Sequence, residues 1–86
     1  MAKNFEIKIL MPEKQIYAGE VSSLVVPAAL GYLGVLADHA PLIASLIPGK
    51  ITYKDGKGKE TIINNKVKGF IEVVQNKVTI LLDQAN

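Results

Sequence analysis

An all-β fold is what this sequence predicts, and three observations predict it. Phe5, Ile7, Ile9 and Met11 alternate with Glu6 and Lys8, the two-residue period of a strand with one buried face. Turn-forming residues recur at short intervals, from Pro12-Glu13-Lys14 through Gly19, Pro27 and Pro48-Gly49 to Gln75-Asn76, which is the punctuation of short strands. No segment of helical length carries apolar residues at a 3.6-residue period.

In chain order, Phe5 to Met11 is the first strand and Pro12-Glu13-Lys14 ends it. Gln15 to Ala18 reads as a short second strand closed by Gly19, and Val21 to Val26 as a third, β-branched and apolar, stopped by Pro27. Tyr32 to Leu36 and Leu42 to Leu46 are short apolar pieces on either side of Asp38-His39-Ala40-Pro41. Ala40 precedes a proline, which disfavours helical backbone there. After the Pro48-Gly49 turn, Lys50 to Lys54 and Glu60 to Asn64 flank Asp55-Gly56-Lys57-Gly58 as a hairpin. Val67 to Val74 and Lys77 to Leu82 follow, with bends at Asn64-Asn65 and Gln75-Asn76. About nine or ten strands so closely spaced describe a sandwich or a small barrel.

The 86 residues make one domain, 1–86, with a thin core. Hydrophobic residues at 49% and a mean hydropathy of +0.24 exclude a disordered chain. No cysteine is present, so disulfides, thiolate nucleophiles and cysteine metal sites are excluded. All ten basic residues are lysines, which removes bidentate guanidinium clamps on phosphate. The net charge of +2 is too small to argue for nucleic acid. Met1-Ala2-Lys3-Asn4-Phe5-Glu6 lacks the apolar stretch of a signal peptide. The 17-residue charge-free run from Val21 to Ala37 holds Pro27, Gly31 and Gly34 and falls short of the roughly 20 residues of a spanning helix. A cytoplasmic-side protein is the expectation. Asp38 is the one formal charge between Val21 and Gly49. A domain this small cannot hide so long an uncharged stretch, so part of it should be an interaction surface.

Catalytic groups are scarce. His39 stands beside Asp38 with Ser45 downstream, but adjacent residues of an extended segment point to opposite sides, so Asp38 cannot orient the imidazole of a triad. One histidine and scattered acids offer no metal spacing; Glu6, Glu13, Glu20, Glu60 and Glu72 read as solvated strand and turn positions. Gly31 and Gly34 lack the Gly-Lys-Ser/Thr ending of a phosphate loop and read as turn glycines. Lys50, Lys54, Lys57 and Lys59 lie around Tyr53, leaving a basic β-barrel for single-stranded nucleic acid as the alternative, recognisable by salt-sensitive oligonucleotide binding. A lipoyl- or biotinyl-carrier fold would need a modifiable lysine in a Met-Lys-Met or Asp-Lys-Ala setting, and neither occurs.

The stretch Gly31-Tyr32-Leu33-Gly34-Val35-Leu36-Ala37-Asp38-His39-Ala40-Pro41-Leu42, followed by Pro48-Gly49, resembles the G-x-x-G-[VI]-x-x-x-H-A-P-L…P-G pattern of the epsilon subunit of rotary ATP synthases, called delta in mitochondria. Gly69-Phe70-Ile71-Glu72-Val73, Asn76 and Val78-Thr79-Ile80-Leu81 match that family's G-F-x-E-V…N-x-V-T-[IV]-L, so the resemblance covers nearly the whole chain. It implies a ten-stranded β-sandwich of two antiparallel sheets at the foot of the central stalk, without catalytic groups, cofactor or metal. This subunit would hold the gamma subunit against the c-ring and couple ion flow and rotation to ATP synthesis. Its implied place is peripheral, on the cytoplasmic face of a bacterial inner membrane.

By the same resemblance, Ala28, Ala29, Leu30, Gly31, Tyr32 and Leu33, with His39, would face the c-ring. Met11 and the segment Leu42, Ile43, Ala44 would face gamma, and Leu42→Asp should weaken gamma binding more than folding. Four positions depart from the pattern. Ala28 stands for a usual glycine and needs an ordinary φ or a changed turn, and Tyr32 replaces a polar or acidic residue. Lys68 takes the first place of a Gly-Gly pair, so it must point outward or the bulge must differ, while Leu82 stands where alanine is common. Family members generally continue into an inhibitory helical hairpin that binds ATP in some bacteria, whereas this sequence stops at Asn86. The expectation is a short form, or the sandwich alone, with neither an inhibitory arm nor an ATP site.

Overall fold

The computed structural model describes residues 3–83; the first two positions and 84–86, which carry the expectations about the chain's start and stop, lie outside the described residues. The described residues contain eight strands and no helix: β1 (Phe5–Met11), β2 (Lys14–Ala28), β3 (Gly31–Val35), β4 (Leu42–Leu46), β5 (Gly49–Asp55), β6 (Glu60–Asn65), β7 (Gly69–Val74) and β8 (Lys77–Leu82). All eight join one hydrogen-bonded sheet, ordered β1-β8-β7-β4-β2-β5-β6, with β3 on β2 and a further β1–β2 pairing. Eight strands in one hydrogen-bonded sheet thus stand where ten in two antiparallel sheets are expected, and the parallel pairing of β1 with β8 makes that sheet mixed.

The change in strand count centres on β2. Gly19 and Pro27 are stops by residue type, yet the strand runs through both for 15 residues. Gly19 pairs with Ile7, and a Cβ on it would stand 2.6 Å from the Tyr17 hydroxyl, so this glycine makes room for a ring and does not turn the chain. Pro27 sits one residue from the strand's end, and its carbonyl accepts a 2.9 Å bond from the Ile47 N–H. Ala28, absent from the positive-φ residues, takes the ordinary backbone its side chain requires. The first half of β2 pairs with β1, and the second half with β3 and β5. One strand thus carries the chain from one half of the sheet to the other.

The two halves close over a common core. Ile7, Ile9, Ile71 and Ile80 come from one half, Leu24 and Ile51 from the other, each at most 1% exposed. Burying such a side chain contributes roughly 1.5–3 kcal/mol, which is how so small a domain offsets its ordering entropy. Tyr17 and Tyr53 stack with ring centroids 4.5 Å apart. Burial, with Tyr53 and Asp55 nearby, pushes the Tyr17 phenol above its ordinary pKa.

The connections explain the turn residues. In the β5–β6 hairpin, Asp55 Oδ1 accepts the Lys57 and Lys59 backbone N–H groups at 2.8 and 2.9 Å. Those bonds, Lys59 first, hold its carboxyl below the usual range. A depressed folded-state value stabilises at pH above the unfolded carboxylate's and loses that contribution as pH falls through the lowered one. Asn65 is buried, its side chain bonded to both the carbonyl and the N–H of Val67. Lys68 is exposed, the first of the two arrangements open to it before Gly69.

Between β7 and β8, Val74 pairs with Lys77 across Gln75 and Asn76, at φ 47° and 62°. That is a two-residue hairpin of the type I′ kind. Glutamine pays for this backbone in steric crowding, whereas asparagine visits it readily. Gln75→Asn is therefore expected to raise stability by about 0.5 kcal/mol, read as a higher urea midpoint at unchanged slope.

Candidate functional site

The residues expected to face partners fall into a groove, an outer sheet face and two isolated positions. The groove forms where the β2–β3 turn meets β4. Ala28 pairs with both Gly31 and Leu46, and the Ala29 N–H donates to the Ser45 carbonyl at 3.0 Å. Gly31 leaves the turn at φ 127°, backbone that a side chain resists. The resulting groove has a volume of about 510 Å³ and is lined by the turn residues 28–33 and by β4 residues 42–45. Its rim is apolar and open: Leu30 is fully exposed and Tyr32 is 63% exposed. The Tyr32 hydroxyl accepts a long, 3.4 Å bond from the Lys50 N–H. Gly49 lets this corner close, since a Cβ there would stand 2.7 Å from Pro27.

Two segments assigned to different partners thus share one groove. Strand alternation separates the residues of β4. Ile43 points outward at 74% exposure, while Leu42 and Ala44 lie half-buried against the core. Met11, also half-buried against the core, lies at the end of β1, with β8 and β7 between it and β4. His39 sits on the β3–β4 connection and is half-buried outside the groove lining.

One surface escaped the sequence reading. Cross-strand pairing aligns Ser45, Phe70, Leu81 and Leu10 on one outer face, and Ile43 is diagonal to Phe70. Phe70 is 53% and Leu81 50% exposed. Diagonal neighbours on one face come within contact reach, so Ile43, Phe70, Leu81 and Leu10 make a continuous apolar strip. The signal was present in Gly69-Phe70-Ile71-Glu72-Val73: a solvated Glu72 fixes the parity that turns Phe70 outward as well.

The polar candidates are engaged elsewhere. Asp38 bonds to Lys3 and Asn76, and the His39 ring Nδ1 lies 2.7 Å from its neighbour's Ala40 carbonyl, so neither serves the other in a triad. Bonds from the Lys3 and Asn76 side chains hold the Asp38 carboxyl below its usual range. Among the described residues no three His, Asp or Glu side chains converge. Tyr53, the aromatic set among the lysines, is 6% exposed and offers no face on which a base could stack.

Residues 4–86 match the family described as ATP synthase, Delta/Epsilon chain, beta-sandwich domain. The chain is 39% identical over 85 residues to the ATP synthase epsilon chain of Dichelobacter nodosus, covering 99% of this chain and 59% of that one. It is 45% identical over 83 residues to the epsilon chain of Leptospira borgpetersenii, covering 95% and 63%. It therefore spans about three fifths of the length of these curated relatives. Among solved structures, a chain of the Euglena gracilis mitochondrial ATP synthase (OSCP/F1/c-ring) superposes with a TM-score of 0.82 at 23% identity, over 88% of this chain and 48% of that one. A chain from the central stalk and c-ring of the Tetrahymena thermophila mitochondrial ATP synthase does so at 0.72 and 15%, over 92% and 63%. At such identities these two likenesses speak for the fold alone.

Proposed function

This chain belongs to the delta/epsilon β-sandwich family of ATP synthase subunits, and from that premise we propose that it is a non-catalytic subunit of the central stalk. It joins the gamma subunit to the c-ring, so that ion flow and rotation stay coupled to ATP synthesis at the catalytic subunits. Its place is on the membrane-peripheral part of the complex, at the cytoplasmic face of a bacterial inner membrane. The observation that carries the reading is the apolar surface exposed on one small domain at the β2–β3 turn and along the outer strip, which adjoin at Ile43. A subunit that bridges two partners needs two such surfaces, and a free monomer gains nothing from either.

The turn Ala28–Leu33, tipped by Leu30 and Tyr32, is assigned to the c-ring, with His39 on the adjoining connection. Gamma is assigned to the face that carries Ile43, Phe70 and Leu81, with Leu42, Ala44 and Met11 supporting it from the core side. No ATP-binding role is assigned, since the chain holds no arginine to clamp a phosphate.

Titrating the isotope-labelled chain with purified gamma subunit, and following backbone amide shifts, tests the assignment. Saturable shifts are expected at Ile43, Phe70 and Leu81, while Leu30 and Tyr32 stay unshifted until c-ring is added. A folded chain whose spectrum ignores gamma at high concentration would sink the reading. Salt-sensitive binding of an oligonucleotide by such a chain would put the basic-barrel reading in its place.

A further inference from the structure

Asp38 and Asn76 lie 38 positions apart and bind each other twice. The Asp38 N–H donates to Asn76 Oδ1 at 2.6 Å, and Asn76 Nδ2 donates to Asp38 Oδ1 at 2.9 Å. Each end of this pair is prepared by its backbone. Asp38 is the third residue of a turn closed by the His39 N–H on the Leu36 carbonyl, with φ at 63°. Asn76 belongs to the β7–β8 hairpin, and its own carbonyl accepts the Glu6 N–H at 3.0 Å, which ties it to β1. Asparagine and aspartate are the side-chain-bearing residues that tolerate such backbone best. One end is therefore a fixed post on the sheet, and the other a connection between β3 and β4 whose further hold on the domain is Ala37, half-buried against the core.

We propose that Asp38 and Asn76 are positioning residues, a reciprocal clasp that holds the 36–41 connection against the β7–β8 hairpin and so sets β3, with the turn before it, relative to β4 and the outer strip. That the clasp serves partner binding rests on the central-stalk function proposed above; the clasp itself rests on the geometry alone. Lys3 adds a 2.8 Å ion pair to the other Asp38 oxygen, but with the two side chains 70% and 58% exposed it contributes little.

The clasp can be tested by exchanging its members. Asn76→Asp sets two carboxylates against each other, while the double variant Asp38→Asn, Asn76→Asp restores one donor and one acceptor with the roles reversed. Asn76→Gly favours the hairpin backbone yet deletes the side chain, so it separates the clasp from any role in the turn. The first readout is hydrogen exchange of the His39 amide in the chain alone. Protection should fall about tenfold or more in Asn76→Asp and Asn76→Gly and return in the double variant, at a urea midpoint that Asn76→Gly does not lower. Unchanged protection in Asn76→Gly, or a double variant as loose as Asn76→Asp, overturns the clasp. The second readout is affinity for gamma and c-ring, expected to follow protection. A chain that loses protection in Asn76→Gly but binds both partners as before overturns the positioning role. Failure of the unaltered chain to bind either partner would overturn the central-stalk function and the positioning role with it, leaving the clasp to the exchange result.

Discussion

Gly69→Ala is expected to cost the fold on the order of 3 kcal/mol, the size seen when a side chain is forced into a packed position that cannot open. Gly69 pairs with Leu82 of β8 on one side and Leu46 of β4 on the other. A Cβ built there would overlap the Leu81 carbonyl oxygen and lie 3.1 Å from the Leu82 Cα. Both obstacles are backbone of the neighbouring strand, so no rotamer change relieves them. Moving β8 away would strain the 2.8 Å bond from the Asp83 N–H to the Lys68 carbonyl, which closes this end of the ladder. A domain of 86 residues holds about 4–13 kcal/mol in all, so the loss should be a visible share of the total. Urea unfolding measures it, with Gly34→Ala as the control. A Cβ at Gly34 meets nothing within 4 Å and its φ is not positive, so that variant should fall within about 0.5 kcal/mol of the parent. Equal stability of the two alanine variants would mean that β7 and β8 do not approach so closely.

The contrast between these glycines shows where sequence reading succeeds and where it stops. Strand alternation is local, so β1 was legible from Phe5, Ile7 and Ile9 against Glu6 and Lys8, and β8 from Lys77 to Leu82. What a glycine is for depends on what lies across from it. Gly19 looks like Gly49 in sequence, yet one lies in mid-strand beside the Tyr17 ring and the other opens β5 against Pro27. Parallel pairing of β1 with β8 joins the ends of the chain, and no short window carries that information. The site follows the same rule. The uncharged Val21–Gly49 stretch announced a surface, but that its 28–33 turn and its 42–45 segment line one groove emerges only after β2 reaches β4. Asp38 and Asn76 were each visible as motif residues, while their mutual bond needed the fold.

Ile43→Lys is expected to reduce gamma affinity at least 30-fold while leaving folding within about 1 kcal/mol, whereas Leu42→Asp should reduce both. The two residues are adjacent on β4 and face opposite ways. Leu42 pairs with the buried Val73 and packs against the core, so a carboxylate there loses apolar contacts and water together. The sequence pointed to Leu42 as the gamma test; strand parity moves that test to Ile43. Ile43 is 74% exposed and pairs with Glu72. A lysine placed there stays hydrated in the free chain and meets an opposite charge across the strands, which limits the folding cost. In the complex the same ammonium would be covered by an apolar partner surface, and burying it without full hydration costs at least about 2 kcal/mol, the lower bound for a binding hot spot. Denaturant midpoints and gamma titrations on the two variants resolve the difference. Affinity within threefold of the parent for Ile43→Lys would remove gamma from the outer strip, whatever Leu42→Asp does. Loss of folding in Ile43→Lys equal to that in Leu42→Asp would instead show that Ile43 is packed within the domain and free for no partner.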